Sequence, residues 1–411
     1  MSTGLLLGAG ASADEIGMPL VSDLTNELKS WLTPDKLREL NVSWREQRSG
    51  YSDTVVDELT RCLVNRKMHY ENILGYLEVQ YKRPSQLIQE YDGLYWWLLE
   101  FVHWILYIRH VRNGVYIETG VRYLEGIVGL ARANQPLWIF SLNHDLIIEC
   151  LAAHYGVPLH SGFPNKTFLP RRNTQGSQTG QLQFDLLPGD RFKSSGLAFP
   201  ETGTPGINLL KIHGALDVFA TNDKQDFLKL VPSEPGVRGV IAALQATNTE
   251  LLYSDPRLPG GAVKATNEIT YADDQGVMQF LRRTHLAGAF KYDQGYSQVL
   301  PLAFLEHFRN YLNRVTTLIC IGYSFGDAHI NEGLRNWLEH TANRRLEIVG
   351  PGTKRAPSTL SHLAPQITLI DITATEYLER FALKPLRPDE RFLRKVRRAM
   401  CKIHRWKKGV A

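Results

Sequence analysis

Apolar positions along this chain alternate between two periods. Leu5-Leu6-Leu7, Leu137 to Phe140, Leu209-Leu210 and Leu318 to Ile321 are short unbroken apolar runs, as expected of strands covered on both faces. Between such runs, apolar residues return every three or four positions. Pro19 to Leu32 places Leu20, Leu24 and Leu28 on one helical face, with Ser22-Asp23 near its start. From about 34 to 133 the spacing stays helical, for example Ile73, Leu74 and Leu77, then Trp97, Phe101, Trp104, Ile105 and Ile108. The pattern then predicts a strand at 137–142, a helix at 145–155 and a strand at 208–213. A helix at 301–314, strand 316–322, helix 328–341 and strands 345–349 and 367–372 follow.

This order predicts an α/β fold built on a Rossmann-like parallel sheet, contributed by 1–33, 134–219 and 301–386. A large helical insertion at 34–133, a second irregular insertion at 220–300 and a basic C-terminal tail at 387–411 complete the expected organisation. Two stretches show no clear period. Gly162 to Gly206 is rich in Gly, Pro, Ser, Thr and Asn and reads as a lid, a surface excursion or a loop. In 220–300, Pro232, Pro235, Pro256, Pro259, Gly260 and Gly261 interrupt any regular spacing. No internal repeat is visible.

The 411 residues, 43% of them hydrophobic, suffice for a substantial core. The most apolar window, Gly93 to Ile108, is too short for a bilayer span and is interrupted by Glu100 and His103, so it reads as a buried helix. Its aromatics, with Trp96, Trp97 and Trp104 among them, are expected to pack in the core. Cys62, Cys150, Cys320 and Cys401 are widely scattered and form no CxxC pair for zinc or redox work, which fits a reduced cytoplasm. Residues 1–10 lack the basic start of a secretory signal.

Charge is unevenly spread. The tail from 387 to 411 carries a net +8 against +5 for the whole chain, so the remainder is slightly acidic. Within it Phe392, Val396, Ala399, Met400, Ile403 and Trp406 recur at helical spacing. The expectation is an amphipathic helix docked by its apolar stripe, with its cationic face in solvent. A protein partner is the next reading. Direct nucleic-acid binding is not expected, since no stacking motif or nucleic-acid module accompanies the charge.

Four polar clusters follow strand-like runs: Gly8-Ala9-Gly10-Ala11-Ser12, Ser141-Leu142-Asn143-His144-Asp145, Lys211-Ile212-His213-Gly214 and Gly322-Tyr323-Ser324-Phe325-Gly326-Asp327. In a parallel sheet the strand C-termini share one edge where ligands bind, so the four should converge. Gly8 and Gly10 suit a tight turn that approaches a phosphate, with the following helix offering N–H groups and a positive dipole end. Ala13 stands where a third glycine of the dinucleotide fingerprint would fall. Asn143 can hold a hydroxyl and a water together, but an Asn at a strand end is also a common turn residue. Asp145 serves equally well as a helix cap. His213 is placed as a general base or as a buried structural histidine. Strand alternation would turn His144 away from Asn143 and Asp145. Asp327 is expected to cap the helix from 328.

In that order, and with Gly17-Met18-Pro19 after the first turn, these clusters resemble the sirtuin-like NAD-consuming family, above all its bacterial branch of NAD hydrolases in antiphage defence. The resemblance covers about half the chain, leaving out both insertions and the tail. It implies NAD as substrate and Asn143 with His213 as the catalytic pair. It also implies NAD contacts from Gly8, Ala9, Gly10, Ser12, Asp145, Gly322, Tyr323 and Ser324, with Gly322 and Ser324 near the adenosine or phosphates. Asp145 either fixes its loop or receives the carboxamide. Two features depart from the protein-deacylating members: the four-cysteine zinc module is missing, and Leu20-Val21 stands in place of Phe-Arg. No metal is therefore expected, and water becomes the nucleophile. A protein deacylase, an ADP-ribosyltransferase or a non-catalytic NAD or ADP-ribose sensor are the alternatives. Since uncontrolled NAD loss would harm the cell, restraint by homo-oligomerisation or by an ATPase or helicase-like partner is also implied.

Overall fold

The computed structural model describes residues 2–407 apart from 195, 224, 256, 259–260, 286, 289–290 and 292–298, and describes 403–407 by backbone alone. Strand β1 (Thr3–Leu7) passes through a short 3-10 turn, Ala9–Ala11, to α1 (Val21–Trp31). Helices α2 (Pro34–Glu46), α3 (Asp53–Val64), α4 (Tyr70–Lys82), α5 (Ile88–Arg112), α6 (Gly114–Gly120) and α7 (Gly126–Ala133) follow. The chain continues through β2 (Leu137–Ser141), α8 (Ile147–Tyr155), β3 (Leu159–His160), β4 (Asn165–Arg172), β5 (Gln178–Leu187), α9 (Gly189–Ser194) and β6 (Ile207–Lys211). Next come β7 (Val218–Thr221), β8 (Asp226–Val231), α10 (Gly236–Thr249), β9 (Glu268–Ala272) and β10 (Met278–Arg283). The last elements are α11 (Ala303–Leu312), β11 (Thr317–Ile321), α12 (Ala328–Glu339), β12 (Arg345–Val349), β13 (Ile367–Ile370), α13 (Ala374–Leu378) and α14 (Pro388–Lys407).

Seven strands pair in the order β13-β12-β11-β1-β2-β6-β3, and every pairing is parallel. Both faces are covered, which explains the unbroken apolar runs. Leu5, Leu7, Ile139, Leu209 and Ile319 pack with the helices of the 34–133 block, whereas Leu6, Phe140, Leu210 and Leu318 pack with α11 and α12. Each such side chain taken out of water contributes roughly 1.5–3 kcal/mol. The register aligns the strand ends: Leu7 lies beside Ser141 and Ile321, and Ser141 beside Lys211. All four polar clusters therefore leave the sheet along one edge.

Within the two stretches that lack a clear sequence period, described residues form strands. Together they build a second, antiparallel sheet in the order β4-β5-β8-β7-β10-β9. Its strands alternate. Phe184, Phe219, Leu228, Ile269 and Leu281 pack in one core with α10, and many residues between them are polar, some exposed and some buried, such as Lys229 and Arg283, so the composition looks loop-like although the alternation is that of strands. Pro232 and Pro235 lie in the β8–α10 connection, where they interrupt no ladder. The expected breaks at Pro256, Pro259 and Gly260 lie outside the described residues.

Helix α5 is buried on several sides, and among the described residues no helix is long and apolar enough to cross a membrane. The C-terminal helix reverses the expectation from its pattern. Phe392 and Met400 are 66% and 60% exposed, and Val396 is also exposed, whereas Arg394 is buried against Glu379 at 2.7 Å. Arg398 reaches Glu15 at 2.6 Å and Glu376 at 3.0 Å. Arg397 lies 3.6 Å from the Tyr116 ring centre. The body presents three carboxylates at this seat, so the arginines rather than the apolar stripe turn inward. Ile403 and Trp406 lie outside the described side chains.

Candidate functional site

The strand ends border a cavity of about 700 Å³, within the range of small-molecule sites. Gly8, Asn143, His213 and Ser324 all line it, one from each predicted cluster.

The glycine turn is locked against the neighbouring loop. A β-carbon on Gly8 would meet the Gly322 carbonyl at 2.7 Å, and one on Gly10 would meet the Gly322 Cα at 2.8 Å. Gly322 itself has φ +66°, a conformation that favours glycine. Gly8 N–H donates to Ile321 O and Gly10 N–H to Gly322 O, both at 3.0 Å, while Ala11 N–H returns to Gly8 O at 2.9 Å. The glycines thus serve close approach of one backbone to another. The turn is followed by only three 3-10 residues, so the expected N–H seat is displaced to the start of α1, where Leu20, Val21 and Ser22 line the cavity. A helix's first turn carries N–H groups without intrahelical partners and the positive dipole end. Ser12 is buried behind the turn, touching Asn143 rather than the cavity.

Asn143 bridges two strand ends. Its Nδ2 donates to Gly8 O at 3.0 Å and to Ser12 Oγ at 3.3 Å, and its own N–H is held by Ser141 Oγ at 3.2 Å. With the amide nitrogen committed, Oδ1 is the atom left to act on a ligand. Asp145 accepts from Ile147 N–H at 3.2 Å, which makes it a loop and helix-start brace. From behind, Lys211 Nζ donates to the carbonyls of Asn143 and Asp145. Lys211 belongs to a buried group in which Glu149 lies 3.5 Å from Lys211 and 2.7 Å from Lys229, which also pairs with Asp217. Burial pushes the Asp217 carboxyl up, while the two lysines outweigh burial for Glu149 and hold it down. From α5, His110 Nε2 accepts from Leu146 N–H at 3.0 Å and its Nδ1 donates to Leu106 O at 2.9 Å, which fixes a neutral tautomer.

His213 is 2% exposed, and its Nε2 lies 3.3 Å from His329 Nε2. Burial, with Lys291, His329 and His285 nearby, holds it far below the usual histidine range, so it is neutral at ordinary pH. His329 is pushed down to about 4 by burial, partly offset by Asp327. Lys291 links three elements: its Nζ lies 3.0 Å from Glu71 of α4 and 2.8 Å from Asp327. Those carboxylates outweigh burial and raise its pKa.

On the fourth loop, Ser324 and Gly322 face the cavity and Tyr323 also contributes to its wall. The Tyr323 hydroxyl, however, bonds Asn331 Oδ1 at 3.0 Å and the Asp327 backbone at 3.2 Å, so it braces the loop. Phe325 holds φ +59°, unusual for a residue with a side chain. Asp327 occupies the position before α12 as expected, but its carboxylate goes to Lys291 and not to the helix N–H groups.

His144 corrects the sequence reading. Strand β2 ends at Ser141, so alternation does not run through Leu142–Asp145, and His144 lines the cavity together with Asn143 and Asp145. Its ring stacks on His285 with centroids 3.6 Å apart. Burial and Lys291 push His285 down to about 3.

No family model matches the chain, and no curated protein matches it. Among solved structures, a Sir2 homologue in complex with ADP-ribose has a TM-score of 0.39 at 13% identity, over 93% of this chain and 90% of that one. A Sir2 homologue–NAD complex has a TM-score of 0.39 at 12% identity, over 96% and 90% of the two chains. A Sir2 homologue with 2′-O-acetyl-ADP-ribose also has a TM-score of 0.39, at 14% identity over 96% and 92%.

His329 and Lys291 escaped sequence reasoning for different reasons. His329 lies two residues beyond the last recognised cluster, on the first turn of α12, and a longer reading of Gly322–Asp327 would have reached it. Lys291 comes from a segment with no periodic signal, and nothing in the sequence pairs it with Glu71, 220 positions earlier.

Proposed function

We propose that this chain hydrolyses NAD to nicotinamide and ADP-ribose. The observation that carries the reading is that Asn143 and His213 line one cavity with the Gly8 bend and the start of α1. The motif resemblance adds to it. Breaking the nicotinamide–ribose bond develops positive charge at the ribose carbon, which calls for oriented hydroxyls and nucleophile more than for a strong acid. Asn143 Oδ1, with its amide nitrogen tied to Gly8 and Ser12, would accept from a ribose hydroxyl or from the attacking water. Neutral His213 would take the proton released as water adds. The pyrophosphate would lie toward the first turn of α1 and the loop at Gly322 and Ser324.

The same resemblance supports a restrained cytoplasmic effector of antiphage defence that depletes NAD as a homo-oligomer or with an ATPase or helicase-like partner. The deciding experiment incubates the pure chain with NAD, with and without an acetylated peptide, and resolves the products by chromatography. Nicotinamide and ADP-ribose in equal amounts without peptide are expected. A strict need for peptide would move the reading to a deacylase, and binding without turnover would make the chain a sensor.

A further inference from the structure

Two imidazoles and a carboxylate meet on the cavity wall where the loop after β6 approaches the start of α12. His213 Nε2 and His329 Nε2 are 3.3 Å apart, and with a carboxylate oxygen of Asp327 the ligand atoms all lie within 4.8 Å of one another. A tetrahedral zinc ion holding two nitrogens at roughly 2.0–2.1 Å sets them about 3.3–3.4 Å apart. The histidine pair already has the length of one edge of that polyhedron.

Charge at the site is mixed: Lys291 is the leading charge acting against a positive charge on His213, and two carboxylates oppose Lys291 in turn. Lys291 is balanced by both Glu71 and Asp327, so one ammonium faces two carboxylates and the group carries a net negative charge. Lys291 bonds one oxygen of Asp327, Oδ1, at 2.8 Å, and a carboxylate has a second oxygen with which to bind an ion. The His213 ring also bonds the Leu142 carbonyl, the kind of outer partner that orients metal-binding imidazoles. Two histidines and a carboxylate form a donor set suited to zinc or cobalt(II), with a fourth position open to the cavity.

We propose that His213, His329 and Asp327 bind one zinc-class divalent cation. If His213 is the base of the proposed hydrolysis, the ion occupies the nitrogen that reaction needs, and the site is inhibitory. That clause rests on the reading above, whereas the binding does not.

The test uses the full chain stripped with chelator, without NAD. Zinc is followed by equilibrium dialysis, and cobalt(II) by its tetrahedral visible absorption. One equivalent of metal and a tetrahedral cobalt band are expected. His329→Ala and the similarly sized His329→Gln, checked for folding by thermal melts, should each weaken binding by about tenfold or more and remove the band. Absence of stoichiometric binding, or binding unchanged in both variants, overturns the proposal. Zinc inhibition of NAD cleavage that is relieved in the variants would support the inhibitory clause, and inhibition equal in wild type and variants would overturn that clause. A chain that fails to cleave NAD would still report on the metal through dialysis and cobalt.

Discussion

Two clusters of buried charge flank the Asn143–Asp145 loop, and they face different things. Behind the loop, Lys211 and Lys229 balance Glu149 and Asp217, and Lys211 also holds two loop carbonyls. In front, Lys291, Glu71 and Asp327 stand with the neutral His213 and His329 on the cavity wall. The rear group is charge-balanced and joins the parallel sheet to the antiparallel one, since Glu149 lies on α8 and Lys229 on β8. The front group is rich in groups that can accept a proton or coordinate a ligand. Under the proposed hydrolysis, the rear cluster should govern stability and the front cluster activity.

The sharpest test of that division is at the front. His213→Ala and Asn143→Ala should each cut NAD cleavage by about 10²-fold or more, the scale of a lost general base or positioned acceptor, with a stability loss of about 1–3 kcal/mol, as for the Gly8 carbonyl left without Asn143. Next, Lys229→Met should leave Asp217 buried without its ammonium and Glu149 with Lys211 alone, and cost about 3–5 kcal/mol in urea unfolding, while turnover per folded molecule stays near wild type. A Lys229→Met enzyme that is stable but inactive would erase the distinction. The smallest effect is in pH. Unfolded histidines titrate near 6.5, whereas His329 and His285 are depressed to about 4 and about 3 in the fold. Above pH 6.5 both states are neutral and their contribution is fully present. As pH falls from 6.5 toward 4 and then 3, only the unfolded chain takes up these protons, and stability is lost. His285 alone should remove about 2 kcal/mol by pH 5, readable in urea melts across that range. Over pH 8 to 6, by contrast, kcat/KM should stay flat, because His213 is already neutral.

The parallel sheet was legible because burial on both faces leaves a direct mark on composition. Leu5 to Leu7 and Leu318 to Ile321 are apolar at every position, and the predicted strand 345–349 coincides with β12. The antiparallel sheet reads in the sequence as a loop-rich stretch and an irregular insertion because many of its strand positions are polar, although Leu182, Phe184 and Leu186 alternate within β5. At the cavity, the four clusters carried by strand ends are brought together, though Ser12 lies behind the wall. The residues joining them, Lys291 and Glu71, were not legible, because their pairing is tertiary and leaves no local trace. The C-terminal helix shows the limit of amphipathicity as a guide: it ranks faces by hydropathy, but Glu15, Glu376 and Glu379 decided which face was buried.

That last arrangement ties the end of the protein to its beginning. Glu15 is fully buried, five residues after Gly10, and burial raises its carboxyl pKa even with Arg398 beside it. Lifting α14 away would take from this acid the guanidinium of Arg398, and the same helix displays Phe392 and Met400 on its exposed face. The seating of the last helix and the charge on the fifteenth residue are therefore one arrangement, joined through a single guanidinium.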